Sequence, residues 1–140
     1  MSDDHHPNLA AGWSVSALSE FMGIKTIAVE ADRVEAQMLV TENLLNRHGN
    51  LHGGAIMALA DNTGGSAAFI GLRAGESTTT TESKTNFFVA IVLGETVRAV
   101  ATPLHRGRSL QVWQTDIYKE DGRLAAQVTQ SQFTLKPVQK

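Results

Sequence analysis

From residue 22 to residue 41 the chain alternates, placing Ile24, Thr26, Ala28 and Glu30, then Val34, Ala36, Met38 and Val40, on one face. A period of two predicts a pair of strands, joined by a tight turn around Ala31-Asp32-Arg33. The turn formers Asn43, Asn46, Gly49 and Asn50 make residues 42–53 irregular. Residues 54–72 then run with one charge, Asp61, and read as a long apolar helix ended by Gly71, Arg73 and Gly75. The strand pattern returns over residues 78–89, 96–105, 109–118 and 124–135. Breaks fall at Leu93-Gly94-Glu95, Arg106-Gly107-Arg108 and Glu120-Asp121-Gly122, the last two having the character of hairpin turns. A short helix near residues 14–20 precedes all of this.

The order β-β-α-β-β-β-β predicts an α+β fold, with an antiparallel sheet of about six strands wrapped around one central helix. No repeat or linker divides the chain, so residues 1–140 read as a single domain, with residues 1–20 an N-terminal extension and 21–136 the core. A lone sheet of this kind exposes its edges, and pairing with a second copy is the expected remedy.

Composition narrows the function. Apolar residues make up 42% and charged residues 19%, which excludes a disordered chain. Twelve Lys and Arg against fourteen Asp and Glu leave a charge of −2, so no global basic field recruits nucleic acid. The absence of cysteine excludes disulfide scaffolds, thiolate metal sites and cysteine nucleophiles. The start, Met-Ser-Asp-Asp-His-His-Pro, has neither the basic nor the apolar region of a secretory signal, which predicts a cytoplasmic location. Residues 54–72 approach the length of a membrane span, but Asn62, Thr63, Gly64, Gly65 and Ser66 interrupt them and Asp61 would be costly in lipid. A helix buried in a water-soluble core is the better reading.

The candidate chemistry lies in Asn46-Arg47-His48-Gly49-Asn50-Leu51-His52-Gly53-Gly54, which runs directly into the helix that carries Asp61. Two glycines at a helix start leave backbone N–H groups open to close approach. The helix N-terminus offers unpaired donors and a positive dipole end to a carbonyl oxygen that gains charge. Asp61, about two turns on, is the one ionisable group in an apolar helix, and a buried or half-buried carboxylate is costly unless paired or used. Each feature alone also fits a tight turn or a solvent-facing acid; together they point to a site. His48 and His52, spaced by four, and Asp61 suggest metal ligands only if a helix aligns them, and Gly49 and Asn50 place them in a loop, so no metal is expected. His5 and His6 read as an N-terminal pair without a metal. No Gly-x-Ser-x-Gly elbow, phosphate loop or dinucleotide fingerprint is present.

The pattern Asn46-x5-His52-Gly53-Gly54-x6-Asp61, followed by four strands, resembles the hotdog-fold acyl-CoA thioesterases of the PaaI-like branch, relatives of the phenylacetic-acid-degradation and hydroxybenzoyl-CoA thioesterases. The resemblance runs from about Met22 to Leu135 and includes Thr85-Asn86-Phe87-Phe88 and His105-Arg106-Gly107-Arg108. It implies that the Gly53 N–H polarises a thioester carbonyl, that His52 and Asn46 shape the turn beside it, and that Asp61 is the general base or nucleophile. It also implies that Thr80 reaches in from a neighbouring subunit to orient water. Gly54 and Gly65 would border the acyl group. Arg106, Arg108 and Ser109, on a turn in a stretch that holds Arg98 and His105 but no acid between residues 96 and 115, would hold the nucleotide phosphates of coenzyme A. No cofactor is implied, since coenzyme A belongs to the substrate, and the assembly expected is a homodimer or homotetramer. Hydroxybenzoyl-type relatives often carry Glu at the acid position with Thr one turn later; Asp61 and Gly65 here favour the PaaI-like arrangement. Aromatic acyl groups of the phenylacetyl or hydroxybenzoyl type, or medium-chain acyl groups, are the expected substrates. A hotdog enoyl-CoA hydratase built on His52 and Asp61, and a non-catalytic acyl-CoA-binding module, are the competing readings.

Overall fold

Ser16 accepts the Ser19 N–H on its hydroxyl at 3.1 Å and so starts α1 (Ala17–Met22), which Gly23 ends in the left-handed region at φ 73°. The computed structural model describes residues 14–138, so His5, His6 and most of the expected N-terminal extension lie outside the described residues. After α1 come β1 (Lys25–Glu30), β2 (Arg33–Leu39), a 3₁₀ turn (Glu42–Leu44), α2 (Gly53–Ile70), β3 (Ser77–Phe87), β4 (Thr96–Arg106), β5 (Leu110–Tyr118) and β6 (Leu124–Leu135). The six strands form one antiparallel sheet in the order β1-β2-β4-β5-β6-β3. It wraps around α2, which packs against β2 through β6. This is the expected α+β architecture. Among the described residues no helix is long and apolar enough to cross a membrane.

The alternation on β2 holds: Val34, Ala36 and Met38 are buried, and Val40 follows them. On β1 it does not. The pairing with β2 shifts register between Thr26 and Ala28, so that Val29 turns inward while Glu30 faces solvent. A bulge reverses the phase of every later side chain, and the expected inward row Thr26, Ala28, Glu30 is corrected accordingly. A second register shift lies between Thr80 and Glu82 on β3.

The core is in two parts. Ile56, Leu59 and Ala60 of α2 pack with Met38, Val97, Ile117 and Val128, whereas Ala67 and Ala68 pack with Val29, Val34, Ala101 and Trp113. Between these clusters the inner face of the sheet is polar: Thr115, Gln130 and Gln132 are at most 1% exposed and lie beneath the second half of α2. Buried amides and hydroxyls are tolerated where they find hydrogen-bond partners, and the partners of the two glutamines lead to Asp61.

Candidate functional site

The start of α2 is built by two side chains. Asn46 Oδ1 accepts the backbone N–H groups of His48 at 2.9 Å and Asn50 at 3.1 Å, closing a loop in which Gly49 sits at φ 82°. His52 is the N-cap: its Nδ1 accepts the Gly54 N–H at 2.8 Å. An acceptor nitrogen carries no hydrogen, so in the neutral ring the proton is on Nε2. The Gly54 N–H is therefore occupied, while the Gly53 N–H has no partner among the described residues. It opens beside the Phe87 ring, whose Cζ would stand 3.2 Å from a Cβ at Gly53, in a cleft of about 310 Å³ shared with Asn46, Asn50, Phe88 and Ile91.

An ion pair between buried Lys119 and half-buried Glu95 braces this cleft. Lys119 Nζ donates to Ala90 O at 2.7 Å and to Glu95 Oε2 at 2.8 Å, and Glu95 also accepts the Val92 N–H at 2.8 Å. The segment so held touches the loop before α2, where the Leu51 N–H donates to Ile91 O at 2.8 Å. Burial pushes the Glu95 carboxyl up, but the hydrogen bonds from Lys119 and Val92, with the charge of Lys119, outweigh it and hold Glu95 below the usual carboxylate range.

Asp61 is exposed rather than buried or half-buried, because α2 presents it at the rim where β3 ends the sheet. Its Oδ1 accepts from Thr80 Oγ1 at 2.6 Å and from Gln130 Nε2 at 3.0 Å. Oδ2 receives no donor among the described residues, and Asp61 lines a second cleft, of about 530 Å³, with Asn62, Gly65, Thr78 and Thr80. Thr80 thus meets Asp61 within one chain, because β3 lies directly against α2. Gly65 keeps the cleft open, since a Cβ there would meet only Gln132 Nε2 at 4.0 Å.

The two clefts do not merge. At 1.5 Å per residue, the eight steps from Gly53 to Asp61 cover about 12 Å of helix, and no lining residue is common to both.

The basic turn behaves unevenly. Arg106 Nη1 donates to Ala31 O at 2.7 Å, its guanidinium lies 5.4 Å from the Trp113 ring centre, and it fills the space that a side chain on Gly71 would need. Arg106 therefore ties β4 to the β1–β2 turn and to the end of α2. Arg108 has no hydrogen bond or ion pair among the described residues and lines a cleft of about 200 Å³ with Arg73, Glu76 and Thr134. Ser109 is exposed, and its carbonyl accepts the Thr134 N–H at 2.9 Å. Among the described residues no three His, Asp or Glu side chains gather as a metal site.

Gln130 and Gln132 are absent from the candidates that the sequence suggests. On a period-two strand, polar residues at alternate positions read as the solvent face. The signal available was the parity: Gln130 and Gln132 share the phase of Ala126 and Val128, which are buried.

Residues 48–126 match the family model of the thioesterase superfamily. The chain is 39% identical over 110 residues to the proofreading thioesterase EntH of Cronobacter turicensis, with 79% of this chain and 80% of that protein covered. A thioesterase structure from Haemophilus influenzae superposes with a TM-score of 0.83 at 30% identity, covering 87% of this chain and 85% of the other. The PaaI protein of the E. coli phenylacetic acid degradation operon, at 23% identity, shares the fold with a TM-score of 0.81 over 88% of this chain and 87% of its own. A helix whose first N–H has no partner among the described residues, an acid two turns on and a sheet wrapped around that helix are thus found in a chain that belongs to the thioesterase superfamily, a thioester hydrolase with the hotdog fold.

Proposed function

We propose that the chain hydrolyses an acyl-CoA thioester to the free acid and coenzyme A, in a site assembled from two copies. The observation that carries this reading is the unpaired Gly53 N–H and the unpaired Asp61 Oδ2, each in a cleft but about 12 Å apart on one helix. One thioester cannot touch both within a chain. A second copy related by two-fold symmetry across the free edge of β3 would run its α2 alongside and bring its acid to the first copy's Gly53. Exposed Phe87 and Phe88, at the end of that edge strand, support a covered surface there, and exposed Leu110, Phe133 and Leu135 on the outer face support further association into a homotetramer.

In the composite site the Gly53 N–H polarises the thioester carbonyl and holds the oxyanion. Asp61 Oδ2 supplies an electron pair, to a proton of the attacking water or to the carbonyl carbon itself. The tetrahedral intermediate collapses by expelling the coenzyme A thiolate, which leaves without an acid; where Asp61 is the nucleophile, water then hydrolyses the mixed anhydride so formed, releasing the free acid and restoring the carboxylate. His52 serves as the cap that keeps the Gly53 N–H at the helix tip, since its Nδ1 is taken by Gly54. Arg108, the unpaired cation of the turn, is the candidate for the nucleotide phosphates. The apolar walls from Phe87, Phe88 and Ile91, and the open space at Gly65, support an aromatic or medium-chain acyl group of the phenylacetyl or hydroxybenzoyl type.

The test is a panel of aryl- and alkyl-CoA thioesters with a thiol reagent that reports free coenzyme A. Release by the wild type, lost in Asp61→Asn with the circular dichroism spectrum unchanged, is the expected result. Equal turnover in Asp61→Asn would remove the carboxylate from the mechanism.

A further inference from the structure

We infer that Gln132 and Gln130 are positioning residues that select which oxygen of Asp61 reacts, by dictating where the Thr80 hydroxyl sends its single proton. The inference rests on the hydrolytic reading above. An ionised carboxylate only accepts hydrogen bonds. Both groups that approach Asp61 Oδ1 must therefore present hydrogens to it: the Thr80 hydroxyl at 2.6 Å and Gln130 Nε2 at 3.0 Å. A hydroxyl has one hydrogen to give. With that proton turned to Asp61, the group behind Thr80 must be a donor, and Gln132 Nε2 is there at 2.7 Å. The amide oxygen of Gln132 then faces the Thr78 hydroxyl, which donates to it at 3.0 Å. Donation thus runs one way, from Thr78 through Gln132 and Thr80 to Asp61. The opposite sense would set the Thr80 and Asp61 oxygens 2.6 Å apart with no hydrogen between them.

Burial makes the direction binding. Both amides are 1% exposed, so water does not compete for them. The arrangement has a cost: Gln130 Oε1 is left buried without a partner among the described residues, and an unpaired buried acceptor is destabilising. An apolar pair at these positions would avoid that cost and continue the core on either side. One buried amide on a carboxylate oxygen and a second on the hydroxyl that donates to the same oxygen are explained by what they do to that carboxylate. Oδ1 is held by two donors, and Oδ2 is left without one among the described residues, beside the cleft that Asp61 lines.

The test uses the full-length chain with the thioester turned over best by the wild type. Gln132→Met keeps length and removes the donor. It is expected to lower kcat about ten- to a hundredfold, the weight of a hydrogen bond to a charged group, with KM within about twofold. Because Gln132 acts through Thr80, the double variant with Thr80→Val should be no slower than Thr80→Val alone. Multiplying effects, or a kcat for Gln132→Met equal to that of the wild type, would overturn the inference while leaving hydrolysis intact. Loss of turnover in Asp61→Asn tests hydrolysis separately. Independently of activity, the Gln132 side-chain amide resonances in a ¹⁵N spectrum should move in Thr80→Val and those of Gln130 in Asp61→Asn. Resonances that stay in place would also overturn it, and a Gln132→Met chain that fails to fold leaves this measurement decisive.

Discussion

Gly64 and Gln130 occupy adjoining space so tightly that a Cβ on Gly64 would overlap the Gln130 amide oxygen and stand 2.8 Å from its Cδ. The helix gives up a side chain so that the strand can extend one toward Asp61. Gly64→Ala gains about 1 kcal/mol of helix propensity, which offsets the crowding, but it displaces the Gln130 amide from Asp61. The expected outcome is a melting temperature within a few degrees of the wild type with kcat lowered about tenfold. Steady-state kinetics beside a thermal melt measure both, and a variant of unchanged kcat would show that Gln130 is not needed at Asp61.

Gly53→Pro isolates the oxyanion donor. Proline suits the first position of a helix, where its missing N–H has no intrahelical partner. His52 has φ −63° and ψ 135°, the extended conformation that a following proline requires. The substitution is expected to lower kcat about a hundredfold or more while the melt stays near wild type. Full activity would mean that another donor binds the carbonyl.

Mixing tests the shared site. Asp61→Asn and Gly53→Pro chains are each inactive in the composite arrangement, yet a hybrid dimer holds one intact site. Random exchange at equal amounts makes half the dimers hybrids, so about one quarter of wild-type activity should return after co-refolding. No recovery would place Gly53 and Asp61 in one chain's site.

The Lys119–Glu95 pair predicts a pH-dependent cost. Glu95 is depressed in the folded state, so its contribution is full above the ordinary value of 4.5 and is lost as pH falls through the lower folded value. Lys119→Met leaves the half-buried carboxylate with only the Val92 N–H to hold it, which destabilises by about 1–2 kcal/mol at neutral pH. At pH 4 protonation of Glu95 relieves the variant, and the gap to wild type should narrow. Denaturant titrations at pH 7 and 4 read it; a constant gap would mean that the loss is one of packing.

The two arginines of the β4–β5 turn should separate cleanly. Arg106→Ala removes the bond to Ala31 and the contact with Trp113, and is expected to lower the melting temperature. Arg108→Ala is expected to leave the melt unchanged and raise KM for acyl-CoA several-fold, an effect that disappears with a thioester lacking the nucleotide. The reverse assignment would show in the same two measurements.

The long helix and the four strands after it are legible because a single apolar run and a steady alternation leave few alternatives. His52, Gly53 and Asp61 are legible because glycines and a lone acid are out of place in such a helix. The burial of Gln130 and Gln132 is carried only by their phase with Ala126 and Val128, a weak signal because Ala125 on the opposite phase is buried too and an amide looks the same on either face. The inward turn of Val29 depends on a bulge that no residue type announces. The contact of Thr80 with Asp61 is not legible for a related reason: which strand lies against α2 is a matter of sheet order, and the last strand in sequence brings β3 there.

The register shift after Thr80 has a geometric consequence. Thr80 and Phe87 are seven residues apart, an odd interval that would place them on opposite faces of a regular strand. Their partners on β6, Gln132 and Ala126, are six apart and share a face. Thr81 is the extra residue that absorbs the difference. It lets one strand address both ends of the working helix, with a hydroxyl at the acid and a ring over the oxyanion donor. Were the same residues paired with β6 without the bulge, one of those two side chains would rotate out to solvent, so the spacing of chemistry along β3 is set by a residue that takes no part in it.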